Sequence, residues 1–272
     1  MGGAGFPTYV KLNPGKPIDA VLVNACECEP ILTADHRVLL EFADDIIFGL
    51  QAEMKTVAAP KGIIVIEENK PDAIAKLREA FAGDTSVEVL PLPSIYPQGA
   101  KQVLLYNVTG QVVKGRQRMA SMGVIIINVS STAKMAEYME TGMPLVDRIV
   151  TIDGSAVKEP KNLIAPIGSP ISYLVEQAGG LSCEPGKVLI GGPMLGAAVA
   201  SMDEPSKKAT NSLLFLTEKE AKIYEPTACI RCGRCVANCP VSLNPAALAR
   251  AMENENEDVR FVKLQEYSVG QC

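Results

Sequence analysis

Four short apolar runs in the first 140 residues constrain the fold of this chain more than any other feature. They are "AVLVNA" (Ala20–Ala25), "GIIVIEE" (Gly62–Glu68), "VEVLPLP" and "VIIINV", each nearly unbroken in apolar residues. A strand with one wet face alternates apolar and polar side chains. An unbroken run is covered on both faces, as in a parallel sheet laid between helices. The stretches between the runs carry the helical period. In "ADHRVLLEFADDIIFGLQAEM" the apolar residues recur three and four apart, with Asp44 and Asp45 on the polar face. "KPDAIAKLREAFAG" reads as a second helix, with Gly83 after its end. The expected fold class is α/β.

Beyond residue 144 the texture changes. "RIVTIDG" is a strand with a turn, and "KNLIAPIG" returns beside it. "SPISYLVEQAGG" reads as a short helix capped by Ser169 and stopped by Gly179 and Gly180. "KVLIGGPMLG" is a strand ending in a tight glycine turn. These elements make a small α+β module over 145–200. The polar stretch "ASMDEPSKKATN" breaks the pattern, so 201–225 is expected to be a linker. From Pro226 the chain is cysteine-rich and then helical, a fourth region over 226–272.

Charge narrows the function classes. With 26 Lys and Arg against 31 Asp and Glu, the net charge is −5, and no basic cluster suggests nucleic acid as a partner. The longest apolar run, around "GVIIINV", falls far short of the roughly 20 residues that span a bilayer.

The cysteines carry the sharpest chemical signal. "CIRCGRCVANCP" places Cys229, Cys232, Cys235 and Cys239 at the spacing C-x2-C-x2-C-x3-C, followed by Pro240, which is the bacterial ferredoxin run. Three thiolates two residues apart wrap one face of a cubane, Gly233 eases the turn, and the fourth cysteine leaves on a helix begun by the proline. Zinc sites instead pair two C-x2-C units at a distance. An iron–sulfur cluster is therefore the favoured reading. In two-cluster proteins the fourth cysteine serves the other cluster. On that reading the terminal Cys272 opens a second run, and otherwise Cys239 closes a single cluster with its three neighbours. The opening "MGGAGFPTYVK" likewise starts inside a glycine-rich loop, whose Gly2, Gly3 and Gly5 let a backbone approach a ligand closely. With both ends in mid-motif, the chain is expected to be an internal fragment of a longer protein.

"GGAGFPTYVKL", "NACECEPILTADHR", "YPQGAKQ", "GGPMLG" and the ferredoxin run occur in the order seen in the C component of the Rnf electron transport complex, and together the resemblance covers essentially the whole chain. That family is in turn similar to the NADH-binding flavoprotein subunit of respiratory complex I. The resemblance implies a Rossmann-like FMN- and NADH-binding domain over 1–144 and a β-grasp module of the soluble-ligand-binding type over 145–200. After the linker it implies a partial ferredoxin-like domain over 226–272. It further implies FMN, NADH and two [4Fe–4S] clusters in the full-length protein, with the clusters incomplete in this stretch.

The implied activity is that of an NADH-linked oxidoreductase, passing electrons between NADH and iron–sulfur carriers such as ferredoxin through FMN. The implied partners are the other subunits of a membrane redox complex, and the implied place is the cytoplasmic face of the bacterial inner membrane. Two alternatives stay open. One is a soluble reductase of the kind associated with cobalamin or proline reductase, and the other is a non-catalytic scaffold with a decayed flavin site.

Residue by residue, the resemblance implies that Gly2, Gly3 and Gly5 pack the flavin, Phe6 contacts nicotinamide and Lys11 meets the flavin phosphate. Asn24, Glu27 and Glu29 match positions lining the flavin and dinucleotide site, and Asn128 matches an asparagine near the flavin phosphate. Cys26 and Cys28 are lining rather than catalytic, and His36 is structural, because hydride exchange with a flavin needs no histidine base. Gly99 matches the glycine of "YPQGAKQ". After it the complex I relatives carry acids, and here Ala100 and Lys101 follow instead, a change that bears on NADH more than on FMN. No side chain is implied to be catalytic, and the implied metal ligands are the five cysteines Cys229, Cys232, Cys235, Cys239 and Cys272.

Overall fold

The computed structural model describes residues 5–113 and 117–267. It divides the chain into two compact units, Met1–Lys222 and Ile223–Cys272.

The first unit opens with a parallel four-stranded sheet of β1 (Ala20–Ala25), β2 (Lys61–Glu67), β3 (Val87–Leu92) and β4 (Val124–Asn128), in the order β3-β2-β1-β4. Both faces are covered, which is why its strands read as unbroken apolar runs. Val21, Val23, Ile64 and Ile66 pack against Val38, Leu39, Ile46 and Leu50 on one side. Leu22, Ile63, Val65 and Ile126 pack against Leu104 and Leu105 on the other. The covering helices are α2 (Ala34–Glu41), α3 (Ala43–Val57), α4 (Pro71–Ala80), α5 (Lys101–Thr109) and α6 (Val129–Thr141), after a short α1 (Thr8–Lys11).

The stretch expected as one helix is two, because Phe42 leaves helical geometry at φ −121° and ψ 35°. The break separates α2, which begins at the loop after β1, from α3, which lies along α6. Gly49 permits that close approach, since a Cβ there would run into the Thr132 carbonyl oxygen.

The second sheet has five strands in the order β6-β5-β9-β7-β8. They are β5 (Asp147–Asp153), β6 (Lys161–Pro166), β7 (Lys187–Ile190), β8 (Ala197–Ala198) and β9 (Ser212–Leu216), with α7 (Ile171–Gln177) packed on them. Two expectations are corrected here. The span 201–225 is more than a linker: β9 lies at the centre of the sheet, parallel to β5 and antiparallel to β7, with Leu213, Leu214 and Phe215 fully buried. Ser169 does not cap α7; Pro170 holds that position, and the Ser169 hydroxyl donates to the Pro166 carbonyl at 2.8 Å.

The two sheets of this unit meet along the chain that follows β1. Leu32 is buried with Leu189 and Leu214. The Thr33 N–H donates to Thr151 Oγ1 at 3.1 Å, and Asn162 Nδ2 donates to Thr33 Oγ1 at 2.9 Å.

The second unit holds α8 (Arg234–Ala237), α9 (Pro245–Met252) and α10 (Glu257–Glu266), with Leu243, Ala247 and Ala251 buried among its described residues. Pro240 does not begin a helix, contrary to expectation. The next helix starts at Pro245, where Asn244 accepts from the Ala247 N–H at 3.0 Å, so the chain has both a side-chain cap and a first-turn proline there. No described helix is long and apolar enough to cross a membrane.

Candidate functional site

The chain leaves β1 towards β2 and β3 and returns on the other flank as β4. A crevice therefore opens beyond the carboxyl ends of β1 and β4, the place where open α/β sheets bind ligands. Asn24 and Asn128 face each other in register across that opening.

Asn24 Nδ2 donates to the Gly99 carbonyl at 2.9 Å while its Oδ1 accepts from the Cys26 N–H at 3.1 Å. Gly99 is required at this approach, because a Cβ would sit 2.6 Å from the Cys26 carbonyl oxygen. Asn128 Nδ2 donates to Asp35 Oδ2 at 2.8 Å, and Ser130 Oγ donates to Asp35 Oδ1 at 2.6 Å. Asn128 Oδ1 is buried and has no hydrogen-bond partner among the described residues. Sequence reasoning misses Asp35 and Ser130 as site residues, although Asp35 lies inside the quoted "TADHR".

Glu27 does a structural job beside this crevice. Its carboxyl accepts from the N–H groups of Asp35 at 2.8 Å and His36 at 3.1 Å, capping the start of α2 from the loop. Burial, then the facing Asp35 carboxylate, pushes its pKa up to about 8 against the pull of those two N–H donors and of Lys70. His36 is tied to Asp72, with Nε2 2.9 Å from Oδ1, in keeping with a structural role. Cys26 is buried, its thiol donates to the Val65 carbonyl at 3.6 Å, and burial pushes it up to about 12. That is no nucleophile. Cys28 is half-buried and is raised as well, chiefly by burial.

A cation-lined cavity of about 380 Å³ lies along the free edge of β4, bounded by Phe6, Lys11, Lys101, Arg118, Ile125 and Ile126 among others. Lys11 Nζ donates to the Ile126 carbonyl at 2.8 Å. Burial first, then the neighbouring Lys101, lowers Lys11 to about 8, while Glu53 opposes the shift. Glu53, fully buried on α3, is itself raised to about 8 by burial, with the Thr132 hydroxyl at 3.3 Å as its hydrogen-bond donor. Gly5 holds the left-handed φ of +76° that opens the segment leading here. Gly2 and Gly3 lie outside the described residues.

A second cavity, of about 400 Å³, lies beyond β1 and β2, with Glu27, Cys28, Glu29, Glu67, Lys70 and Tyr96 in its wall. Lys70 Nζ pairs with Glu67 Oε2 at 3.1 Å, both side chains almost wholly buried. Glu29 reaches the second sheet, its Oε2 accepting from the Met194 N–H at 3.0 Å. Lys70 and Arg118 carry no sequence signal of their own, since only the fold brings them to these walls.

The cysteine run turns sharply, with Arg231 at φ 56° and Gly233 at φ 74°. Cys229, Cys232 and Cys235 are exposed; Cys239 is half-buried and its Sγ accepts from the Leu243 N–H at 3.2 Å. Four thiols at this spacing suit an iron–sulfur cluster chemically. Among the described residues, however, no three His, Cys, Asp or Glu side chains converge to hold a metal ion. Cys272 lies outside the described residues.

The family model of the Nuo51 FMN-binding domain matches residues 1–137, half of the chain. The chain belongs to that family. An SLBB domain follows over residues 149–198. Among curated relatives, the C component of the Na(+)-translocating ferredoxin:NAD(+) oxidoreductase complex of Acetobacterium woodii is 44% identical over 251 residues, 92% of this chain and 57% of that protein. The proton-translocating counterpart of Clostridium ljungdahlii is 41% identical, over 92% of this chain and 55% of its own length. The C component of the ion-translocating oxidoreductase complex of Yersinia enterocolitica is 37% identical, over 94% and 37%.

These proteins are homologues of this Nuo51-type chain, as its motif order implies, and the chain spans about half the length of the first two. Among solved structures, an NAD+-reducing [NiFe]-hydrogenase in its air-oxidized state matches with a TM-score of 0.68 at 20% identity, covering 80% of this chain and 44% of that one. That likeness speaks for the fold alone.

Proposed function

We propose that this chain is the flavin-bearing part of an electron-transfer subunit, passing electrons between NADH and iron–sulfur carriers. The observation that carries this reading is the pairing of Asn24 with Asn128 at the switch point, together with the cation-lined cavity at the β4 edge. The residues present fit an FMN. Lys11, with Lys101 and Arg118 on the same cavity wall, supplies positive charge for a phosphate, and Phe6, half exposed at 49%, offers an aromatic face. Asn128 Oδ1 is an acceptor still unmatched at the crevice, and Gly99 keeps the wall thin where Asn24 anchors it.

An FMN held by these residues would supply the exchange between a two-electron hydride and the single electrons that iron–sulfur clusters carry. The protein's own share is binding and positioning. Glu27 fixes the start of α2, which holds Asp35 against Asn128 and Ser130. Lys11 is anchored at the Ile126 carbonyl, so its charge is held at the cavity rather than loose in solvent. Glu29 and Lys70 bound the second cavity, on the β2 side, which is the space offered to the dinucleotide. Lys101, which stands where the resemblance to the complex I flavoprotein implies an acid, lies on the wall of the other cavity, at the β4 edge.

Cys229, Cys232, Cys235 and Cys239, with Cys272, would hold [4Fe–4S] iron–sulfur clusters. The remaining subunits of a membrane redox complex and a ferredoxin-like carrier would be its partners, and the cytoplasmic face of the bacterial inner membrane its place. The homologues, named as subunits of ion-translocating oxidoreductase complexes, support that reading.

The test is an anaerobic titration of the full-length protein with FMN, followed by NADH. Tight binding and bleaching of the flavin are expected. A full-length protein that takes up no FMN would leave the scaffold reading in its place.

A further inference from the structure

Glu29 belongs to the loop after β1, yet its carboxylate is held by the other sheet. Its Oε2 accepts from the Met194 N–H at 3.0 Å, in the turn between β7 and β8. Gly192 of that turn is packed so tightly on the carboxylate that a Cβ would overlap it, 2.5 Å from Glu29 Cδ. The turn is shaped for this contact: Gly191 takes a left-handed φ of +97°, and the Gly196 N–H closes back on the Gly192 carbonyl at 2.8 Å. Three residues on, Leu32 is buried with Leu189 and Leu214, and Thr33 is bonded to Thr151 and Asn162. The segment from Glu29 to Thr33 is thus fastened to the second sheet at each end. The same carboxylate stands in the wall of the cavity beyond β1 and β2, and its Oε1 is buried with no hydrogen-bond partner among the described residues.

A carboxylate with one oxygen pinned by a backbone N–H and the other unsatisfied is a fixed acceptor. An acceptor of that kind suits a ligand that brings N–H donors, and the carboxamide of a nicotinamide ring does so. We propose that the Gly191–Gly196 turn of the second sheet is part of the dinucleotide site, where Gly192 and the Met194 N–H act as positioning groups that aim the Glu29 carboxylate and thereby set affinity for a nicotinamide dinucleotide. This rests on the functional reading above. It gives the SLBB module a task in substrate binding, and it explains why "GGPMLG" has glycine where a side chain would displace Glu29.

The test uses the full-length protein loaded with FMN and compares the wild type with Gly192→Ala, Glu29→Ala and the double variant. Gly192→Ala is expected to keep its FMN and to raise KM for NADH about tenfold or more, the size of one charge-assisted hydrogen bond, with kcat changed less than twofold. In the Glu29→Ala background the same substitution is expected to add nothing. If Gly192→Ala does not fold, Met194→Pro removes the N–H donor without adding a Cβ at residue 192, and a raised KM is expected of it too. An unchanged KM in whichever of these variants folds overturns the proposal, as does an equal rise with and without Glu29. A wild-type protein that holds FMN but oxidises no dinucleotide overturns the underlying reading, and the proposal with it.

Discussion

Asn24 and Asn128 stand opposite each other at the carboxyl ends of β1 and β4, one bonded to the Gly99 carbonyl and the other to the Asp35 carboxylate. Two neutral side chains thus tie together the loop before α5, the start of α2 and the crevice between them. Replacing Asn128 by Ala removes a bond to a charged acceptor and should cost about 1.5–3 kcal/mol, read as a lower denaturant midpoint. Asn128→Asp should cost more, because it sets a second carboxylate against Asp35.

Gly99 is a steric requirement rather than a flexible joint. Gly99→Ala forces its Cβ to within 2.6 Å of the Cys26 carbonyl oxygen, so either β1's exit loop or the Asn24 contact must give way. The expected result is a loss of about 1–3 kcal/mol in stability and weaker FMN uptake. Ala100→Gly, one residue on, should leave FMN uptake intact.

The parallel sheet is legible in the sequence because burial on both faces writes itself into unbroken apolar runs, and Asn24 and Asn128 are legible as the polar ends of two of them. β9 is not. "SLLFL" follows a polar stretch, and its central place depends on pairing with β5 and β7, which no local pattern encodes. Pro240 misleads for a related reason: a proline permits a helix start but does not impose one, and Asn244 followed by Pro245 offers a better start five residues later. Glu29 is singled out in the sequence only through the resemblance, and the second sheet's hold on it is not legible there, because "GGPMLG" reads as an ordinary glycine turn until the carboxylate is seen against Gly192.

Glu53 makes stability depend on pH. Its folded pKa, about 8, is raised from 4.5 by burial, so the folded state binds the extra proton. The stability it contributes is full below about pH 4.5 and is lost as pH rises towards 8. Lys11 acts with the opposite sign at higher pH: lowered to about 8 from 10.5, it favours the folded state increasingly across that interval. Glu53→Gln keeps an acceptor for Thr132 and cannot ionise. Urea melts from pH 5 to 8 should show a flatter profile than the wild type and a variant relatively more stable at pH 8.

Lys101 and Arg118 share the cavity wall with Lys11 and should recognise the phosphate rather than the ring system. Charge reversal at either residue is expected to weaken FMN binding by about tenfold or more while leaving riboflavin affinity unchanged. The wild-type preference for FMN over riboflavin should shrink as salt is raised, because exposed cations are screened. Equal titrations with both flavins would instead place the phosphate elsewhere.

The cysteine unit is where ligand and fold are most closely linked. Among its described residues the buried apolar ones are Leu243, Ala247 and Ala251, and three of the four described cysteines are exposed, so apolar burial there gives little stability. A cluster held by these cysteines would contribute directly to folding. Anaerobic reconstitution of the full-length protein with iron and sulfide should protect the region after Ile223 from limited proteolysis. Cys232→Ser should lower bound iron and remove that protection without disturbing FMN binding in the first unit. Cys183→Ser, which alters an exposed thiol outside the run, is the matched control and should retain wild-type iron content.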